Sequence, residues 1–308
     1  MKKYFIISLI ITVLLRLDNS YGQSVGFLEF SPDARSLSLG GTSAAFYANG
    51  LAFFNNGASI AFSESKVEVS TLYASWLPSS LNNNIIGLAG FMKMGSKSAL
   101  SFGYRKIGHS SYSIIDDNGN YTGTYTPKES SMGFGFSYEV QTNFSAFANI
   151  QFISSDMGGS EVGKAVAFNL DFQYKMNNNL NFGAKLSNLG SKIDYGYSSY
   201  SLPTNIAFGA GYKLLINDKN HVNGFADFAY FISPASIGGG IGVEYIYSNF
   251  VFIRVGSHFG NKEKGIPSYV SSGLGVDYKG ISIDFAYLIG GKESPIANSY
   301  SVSLAYAF

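Results

Sequence analysis

The sequence predicts an all-β protein, a transmembrane antiparallel β-barrel of about 14 strands with an N-terminal lumen or plug segment. Three observations carry that expectation: a two-faced closing strand, a composition poor in charge, and connections that alternate short and long. From Ser299 to Phe308, the large residues Tyr300, Val302, Leu304, Tyr306 and Phe308 alternate with Ser299, Ser301, Ser303, Ala305 and Ala307. Successive side chains on a strand point to opposite faces, so one face is broad and apolar and the other small and polar. Unpaired backbone groups are not tolerated in hydrocarbon, so such strands must close on themselves.

Composition bounds the alternatives. Charged residues are 13% of the chain and aromatic residues 16%, with 26 Phe, 22 Tyr and 36 Gly. A charge content of about 25% is usual for soluble domains. A soluble β-sandwich is the competing architecture, but its exposed faces would be richer in Lys and Glu. The formal net charge of +1 gives no reason to expect nucleic acid as a partner. The chain has no Cys, which rules out a disulfide framework or a thiolate site.

The chain opens with Lys2 and Lys3, an apolar run from Tyr4 to Leu15, and a small-residue site at Ser20-Tyr21-Gly22. This is the layout of a secretory signal peptide over residues 1–22, with cleavage expected after Gly22. The apolar run is too short for a helix to cross roughly 30 Å of hydrocarbon. Export through the periplasm to the outer membrane is the implied localisation, with outer-membrane lipid as the barrel's surroundings.

Period-two segments lie near residues 66–76, 85–94, 97–108, 131–139, 143–153, 163–175, 179–187 and 205–214. They continue near 220–231, 237–247, 249–258, 269–278, 280–289 and 299–308. Every other connection is tight, as at Gly95-Ser96, Asn177-Asn178, Ser248-Asn249 and Lys279-Gly280. The intervening ones are long, as from Gly108 to Ser130 and from Gly190 to Thr204. Short turns at one end and long loops at the other are how outer-membrane barrels are built. The barrel is expected over residues 66–308.

Face assignments follow from the alternation. Val166, Phe168, Leu170, Phe172 and Tyr174 are expected to face lipid, and Ala167, Asn169, Asp171 and Gln173 the lumen. Glu68, Arg105, Asp171, Asp227, Glu244, Arg254, Asp277 and Asp284 all fall on inward positions. On the lipid face each would cost up to about 2–4 kcal/mol.

Residues 23–65 do not read as spanning strand, because Pro32, Gly40, Gly41, Gly50 and Gly57 interrupt them. Leu37, Leu39, Phe46, Leu51, Phe53 and Phe54 are too apolar for a solvated leader. The expectation is a segment tucked into the lumen or capping its periplasmic mouth. Asp33 and Arg35 are expected to form an internal salt bridge with lumen groups such as Asp171 or Asp277. Gly238 to Gly242 is expected to let the segment pack closely on a strand.

Catalysis finds little support. His109, His221 and His258 belong to separate segments, and no paired-carboxylate, His-x-x-x-His or Gly-x-Ser-x-Gly arrangement occurs. No catalytic residue, metal ligand or cofactor is expected. The long loops are rich in Tyr, at Tyr112, Tyr121, Tyr125, Tyr195, Tyr197 and Tyr200. Exposed Tyr suits partner recognition, since it supplies contact area at low entropy cost. Asn188, Gly190 and Pro203 frame one of these loops, either shaping the strand ends or contributing to a partner-binding rim.

Ser31 to Gly41 (SPDARSLSLGG), Asn55 to Phe62 (NNGASIAF) and Trp76 to Pro78 resemble the PorV/PorQ family of type IX secretion outer-membrane proteins. The likeness continues through Tyr125 to Ser130, Phe152 to Met157, Leu186 to Gly196 and Ser201 to Tyr212. It is closer to PorV, and distantly similar to FadL-type transporters. The motif positions include Pro32, Asp33, Arg35, Gly40, Gly41 and Asn56. The wider family usually has Asn-Pro-Ala where this chain has Asn56-Gly57-Ala58.

The resemblance implies an accessory barrel of type IX secretion that does not itself pump. Its outer loops would bind translocon components or the C-terminal domains of exported cargo. A FadL-like channel for small hydrophobic molecules is one alternative. A barrel scaffolding another outer-membrane complex is the other.

Overall fold

The computed structural model describes residues 25–29, 31–46, 48–78, 83–158, 162–233, 235–291, 294 and 296–308. The expected signal peptide lies outside these residues. The strands are β1 (Val67–Trp76), β2 (Asn83–Lys93), β3 (Ser98–Gly108), β4 (Tyr112–Ile115), β5 (Tyr121–Tyr125), β6 (Lys128–Gln141), β7 (Phe144–Asp156), β8 (Gly163–Lys175) and β9 (Leu180–Gly190). They continue with β10 (Ile193–Asp194), β11 (Ser199–Tyr200), β12 (Asn205–Leu215), β13 (His221–Phe231), β14 (Ser236–Tyr247), β15 (Val251–Phe259), β16 (Tyr269–Tyr278), β17 (Ile281–Ile289) and β18 (Tyr300–Ala307).

Fourteen of these form one closed antiparallel barrel, each hydrogen-bonded to its neighbours around the ring. The ring closes where β1 meets β18, with Glu68 opposite Ala307 and Ser75 opposite Tyr300. Backbone bonds between Val67 and Phe308, of 3.0 and 2.9 Å, finish the seam. No strand edge is left open at this join, as a spanning barrel requires. The remaining four strands sit in the long loops. β4 and β5 form a separate hairpin, and β10 pairs with β11 and with the end of β8.

The expected strands all appear. Their long-loop ends extend further than the alternation indicates, since β6 begins at Lys128 and β7 runs to Asp156. Pairing between these neighbours continues past the apolar band, with Lys128 opposite Asp156. The hairpin β4–β5 was not expected. Two tight turns match their hairpins closely: Ser248 and Asn249 have φ of 54° and 60°, and Lys279 and Gly280 of 53° and 82°. Positive φ at both central residues gives the twist that two-residue hairpins need.

Alternation holds around the wall. Phe168, Leu170, Phe172 and Tyr174 are exposed, while Ala167, Asp171 and Gln173 are buried inside. Ile281, Ile283, Phe285 and Ile289 are likewise exposed outward. The outer surface is therefore a continuous apolar band. The interior holds the described part of residues 25–62. One helix, α1 (Ala34–Ser38), packs on β15 to β18. A 3-10 turn at Gly50–Phe53 packs on β1 to β3, and another at Gly57–Phe62 on β6 to β8. Leu37, Leu51, Phe53, Ala58 and Phe147 join one buried apolar cluster inside the barrel. Burying each large side chain there contributes roughly 1.5–3 kcal/mol.

Candidate functional site

Asp33 starts the helix, and its carboxylate accepts from the Arg35 amide at 3.2 Å. This N-cap sets the first turn of α1 and aims Arg35 across the lumen. Its guanidinium donates to both Glu244 oxygens, at 3.2 Å from Nε and 3.0 Å from Nη2. The expected partners Asp171 and Asp277 are replaced by Glu244. Its place on β14 opposite α1 decides this, whereas Asp171 accepts from the Gly57 amide at 2.9 Å.

Glu244 is fully buried and also accepts from Arg254 Nε at 2.6 Å and Asn223 Nδ2 at 2.9 Å. Arg254 reaches on to Asp284. The Arg35 guanidinium lies over Phe46, 4.9 Å from the ring centre. Phe46 meets Phe225 edge-on at 4.8 Å. One arginine thus joins a charged network and an aromatic pair, a geometry that a lysine's point charge would not reproduce.

Other inward groups meet the segment's backbone. Asp227 accepts from the amides of Ser43 and Ala44 at 2.7 and 2.8 Å. Asn56 caps the turn at Gly57–Phe62, accepting from Ala58 at 3.0 Å and donating to the Phe172 carbonyl at 3.1 Å. Ser137 and Ser145 donate to the carbonyls of Gly57 and Ala58, each at 2.8 Å. Ser301 donates to the Pro32 carbonyl at 2.6 Å. Gly57 supplies an N–H that proline would lack, and Asp171 uses it.

Close approach of the N-terminal segment explains two glycines of the β14 run, Gly240 and Gly242, whereas Gly238 and Gly239 face Phe231, Asp227 and Phe259 of the wall. A Cβ at Gly240 would fall 2.0 Å from the Gly40 carbonyl oxygen, and one at Gly242 2.6 Å from that of Leu39. Gly40 and Gly41 turn the chain after α1 with φ of 70° and 75°. That left-handed conformation favours glycine.

A cavity of about 390 Å³ opens at the short-turn end, lined by Asp33, Arg35, Glu68, Lys213, His221 and Asp277 among others. His109 and His258 lie at the opposite end. His109 contacts Glu129 at 2.9 Å, and His258 the Pro267 carbonyl at 2.9 Å. Among the described residues, no group of His, Asp or Glu is placed to hold a metal.

The structure divides the loop tyrosines. Tyr197 is 70% exposed and Tyr121 63%, and Tyr112 is also exposed. Tyr195 does not face solvent. It is buried, and its hydroxyl donates to Ser155 at 2.8 Å. Tyr200 packs partly buried against the same cluster, edge-on to Tyr195. Asn188 and Pro203 are buried rather than part of a rim. Asn188, with φ of 58°, donates to the Leu28 and Pro203 carbonyls and so ties the loop to the N-terminal segment. Gly190 abuts the Val166 carbonyl, where a Cβ would lie 2.1 Å away.

The hairpin β4–β5 is organised from within. Asp116 accepts from the amides of Asn118 and Asn120 at 2.9 and 2.8 Å. Those bonds, Asn120's above all, hold its carboxyl below the usual carboxylate range. Tyr125 donates to the Asp156 carboxylate, which pushes its hydroxyl up to about 12. Ile114, Ile115 and Tyr121 remain exposed beside this scaffold. Sequence reasoning missed the two isoleucines, although the Asp117-Asn118-Gly119 turn signal between the strands was visible.

Residues 17–237 match the family model of type IX secretion system protein PorV. The chain belongs to the PorV family. No curated protein matches it in sequence. In fold, this PorV-family barrel is similar to the toluene transporter TodX of P. putida, with a TM-score of 0.67 at 15% identity, covering 91% of this chain and 99% of that one. The Ralstonia pickettii toluene transporter TbuX gives 0.64 at 15% identity, covering 91% and 98%. A Pseudomonas aeruginosa FadL homologue gives 0.52 at 13% identity, covering 90% and 98%. The FadL-like architecture is thus shared by this member of the PorV family.

Proposed function

We propose that this PorV-family barrel serves type IX secretion in the outer membrane as a binding component. Its long-loop end holds translocon components or the C-terminal domains of exported cargo. The observation that carries this reading is the exposed side-chain set of Tyr112, Ile114, Ile115 and Tyr121 on a hairpin braced by Tyr125 and Asp156. Rigid aromatic and aliphatic groups standing clear of the membrane band suit protein recognition. In this reading residues 23–65 close the lumen, held by Arg35, Asn56 and the inward carboxylates.

The test is affinity purification from native membranes, comparing the wild-type chain with one whose hairpin residues 112–125 are replaced by a short Gly-Ser turn. Recovery of secretion components or cargo with the wild type, and their loss with the variant, is expected. Absence of both partners from the wild-type eluate sinks the proposal.

The structural likeness to toluene transporters favours a second reading, a channel for small hydrophobic molecules. Such a path needs a continuous apolar lumen. The buried network of Arg35, Glu244, Arg254 and Asp284 stands against it. Uptake of toluene that disappears on deletion and returns on complementation selects the channel. A partner set without secretion proteins selects the scaffold.

A further inference from the structure

Charged residues on the barrel strands occupy inward positions with four exceptions: Lys106, Lys128, Asp156 and Lys164. All four lie at the long-loop end of the adjacent strands β3, β6, β7 and β8. Lys106, Ser130, Ser154 and Lys164 form a single register row across these strands. Lys128 and Asp156 pair in the row above it, toward the loops. In the row beneath, on the same outward face, stand Tyr104, Met132, Phe152 and Val166.

Elsewhere at this end the outward positions are uncharged, apolar at Tyr230, Ile237, Phe259, Val270 and Ile289 and neutral polar at Ser75 and Asn84. The positive arc is therefore local rather than a belt. Lys106, Lys128 and Lys164 are exposed, and none closes a salt bridge among the described residues, although Lys128 lies within electrostatic reach of Asp156 opposite it. Asp156 is engaged by the Tyr125 hydroxyl and the Gly158 amide.

Distances set the ligand class. Two residues along a strand advance about 6–7 Å, which lifts the ammonium groups from the apolar band to headgroup level. Neighbouring strands are about 4.8 Å apart, so Lys106 and Lys164 stand roughly 14 Å apart at the backbone. Long lysine side chains can converge on a group between them, above Ser130 and Ser154, whose hydroxyls can donate. Anionic headgroups attract such lysines at a membrane surface.

We propose that this arc binds the phosphate of an outer-leaflet lipid headgroup, its acyl chains lying along Tyr104, Met132 and Phe152. The lipid would fix one side of the barrel against the membrane beneath the β4–β5 hairpin.

The experiment uses the delipidated full chain in detergent. Thermal shift is titrated with mixed micelles of phosphatidic acid, with diacylglycerol of the same acyl chains, and with inorganic phosphate. Phosphatidic acid should stabilise the wild type, and the other two probes should not. The triple variant Lys106→Gln, Lys128→Gln, Lys164→Gln should bind about a hundredfold more weakly, from roughly fivefold per lysine. Heat-modifiable mobility on gels checks that this variant is still a barrel. Replacing the exposed loop residues Lys262 and Lys264 by Gln should leave binding unchanged. Unaltered affinity in the triple variant overturns the proposal, as does equal weakening in the loop variant. An equal response to inorganic phosphate reduces the arc to a free-anion site and overturns it too.

Discussion

Arg35 on α1 holds Glu244 on β14 through two hydrogen bonds, of 3.2 and 3.0 Å, across 209 positions of sequence. Glu244 is fully buried and its other donors, Arg254 and Asn223, come from the barrel wall. Among the described residues the pair is the salt bridge that joins the N-terminal segment to the cylinder around it. Removing Arg35 leaves the buried Glu244 carboxylate to Arg254 and Asn223 alone, so part of its charge compensation is lost.

Arg35→Ala should loosen the segment while leaving the barrel closed. The loss should be about 1.5–3 kcal/mol, the range for hydrogen bonds to a charged group. Limited proteolysis within residues 31–62 should accelerate, and heat-modifiable mobility should not change. Arg35→Lys should recover only part of the protection, since an ammonium cannot span both oxygens. A lysine variant as resistant as the wild type contradicts the two-toothed contact.

Gly240→Val should expel α1 from its seat. Its Cβ would approach the Gly40 carbonyl to 2.0 Å, and backbone cannot yield as a flexible side chain does. Overpacking of this kind costs about 1–3 kcal/mol. A lower thermal midpoint and faster cleavage of the segment are expected. Gly224→Val on β13, where a Cβ meets nothing within 4 Å, is the matched control.

Gly57→Pro restores the residue usual in the wider family and removes the N–H that donates to Asp171. Here the substitution should destabilise by about 1–3 kcal/mol, because a buried acceptor loses its donor. The added ring also meets Phe147, whose ring atoms lie 2.5 Å from a Cβ built at this glycine. Adding Phe147→Ala relieves the crowding but not the lost bond. Full recovery in the double variant would show that crowding alone explains the effect.

The hairpin should respond to alkaline pH through Tyr125. Its hydroxyl bond to Asp156 raises the ionisation from 10.0 to about 12. A raised pKa means the folded loop retains the proton. The contact contributes fully below pH 10.0 and is lost as pH rises through about 12. Tyr125→Phe should remove one tyrosinate from the late phase of an absorbance titration. A difference curve centred at the ordinary tyrosine value is the contrary outcome.

Tyr121→Ser with Ile115→Ser should weaken partner recovery without changing the melting temperature. Both side chains are exposed, and neither supports the barrel. Quantitative mass spectrometry of the co-purified proteins reads the first effect and thermal unfolding the second. Undiminished recovery places the binding surface elsewhere.

The alternating side chains of β8, β17 and β18 were sufficient to assign their faces, because a period of two leaves each residue one choice of side. Lipid then forbids charge on one of those sides, so the alternation and the scarcity of charge together determined the barrel. Turn residues such as Ser248-Asn249 and Lys279-Gly280 marked where it reverses. The Asp33 and Asn56 caps are local contacts, each partner lying two residues away, but from sequence Asp33 was expected in a salt bridge and Asn56 carried no structural role.

Contacts across the lumen were decided only by the closed ring. Whether Arg35 meets Glu244, Asp171 or Asp277 depends on which strands stand opposite α1, and every inward carboxylate looks alike in sequence. Tyr195 and Tyr197 are two residues apart in one loop, yet one is buried and the other open to solvent. The row joining Lys106 to Lys164 exists only through interstrand register. Such positions gain their meaning from distance in space, which the order of residues along the chain does not encode by itself.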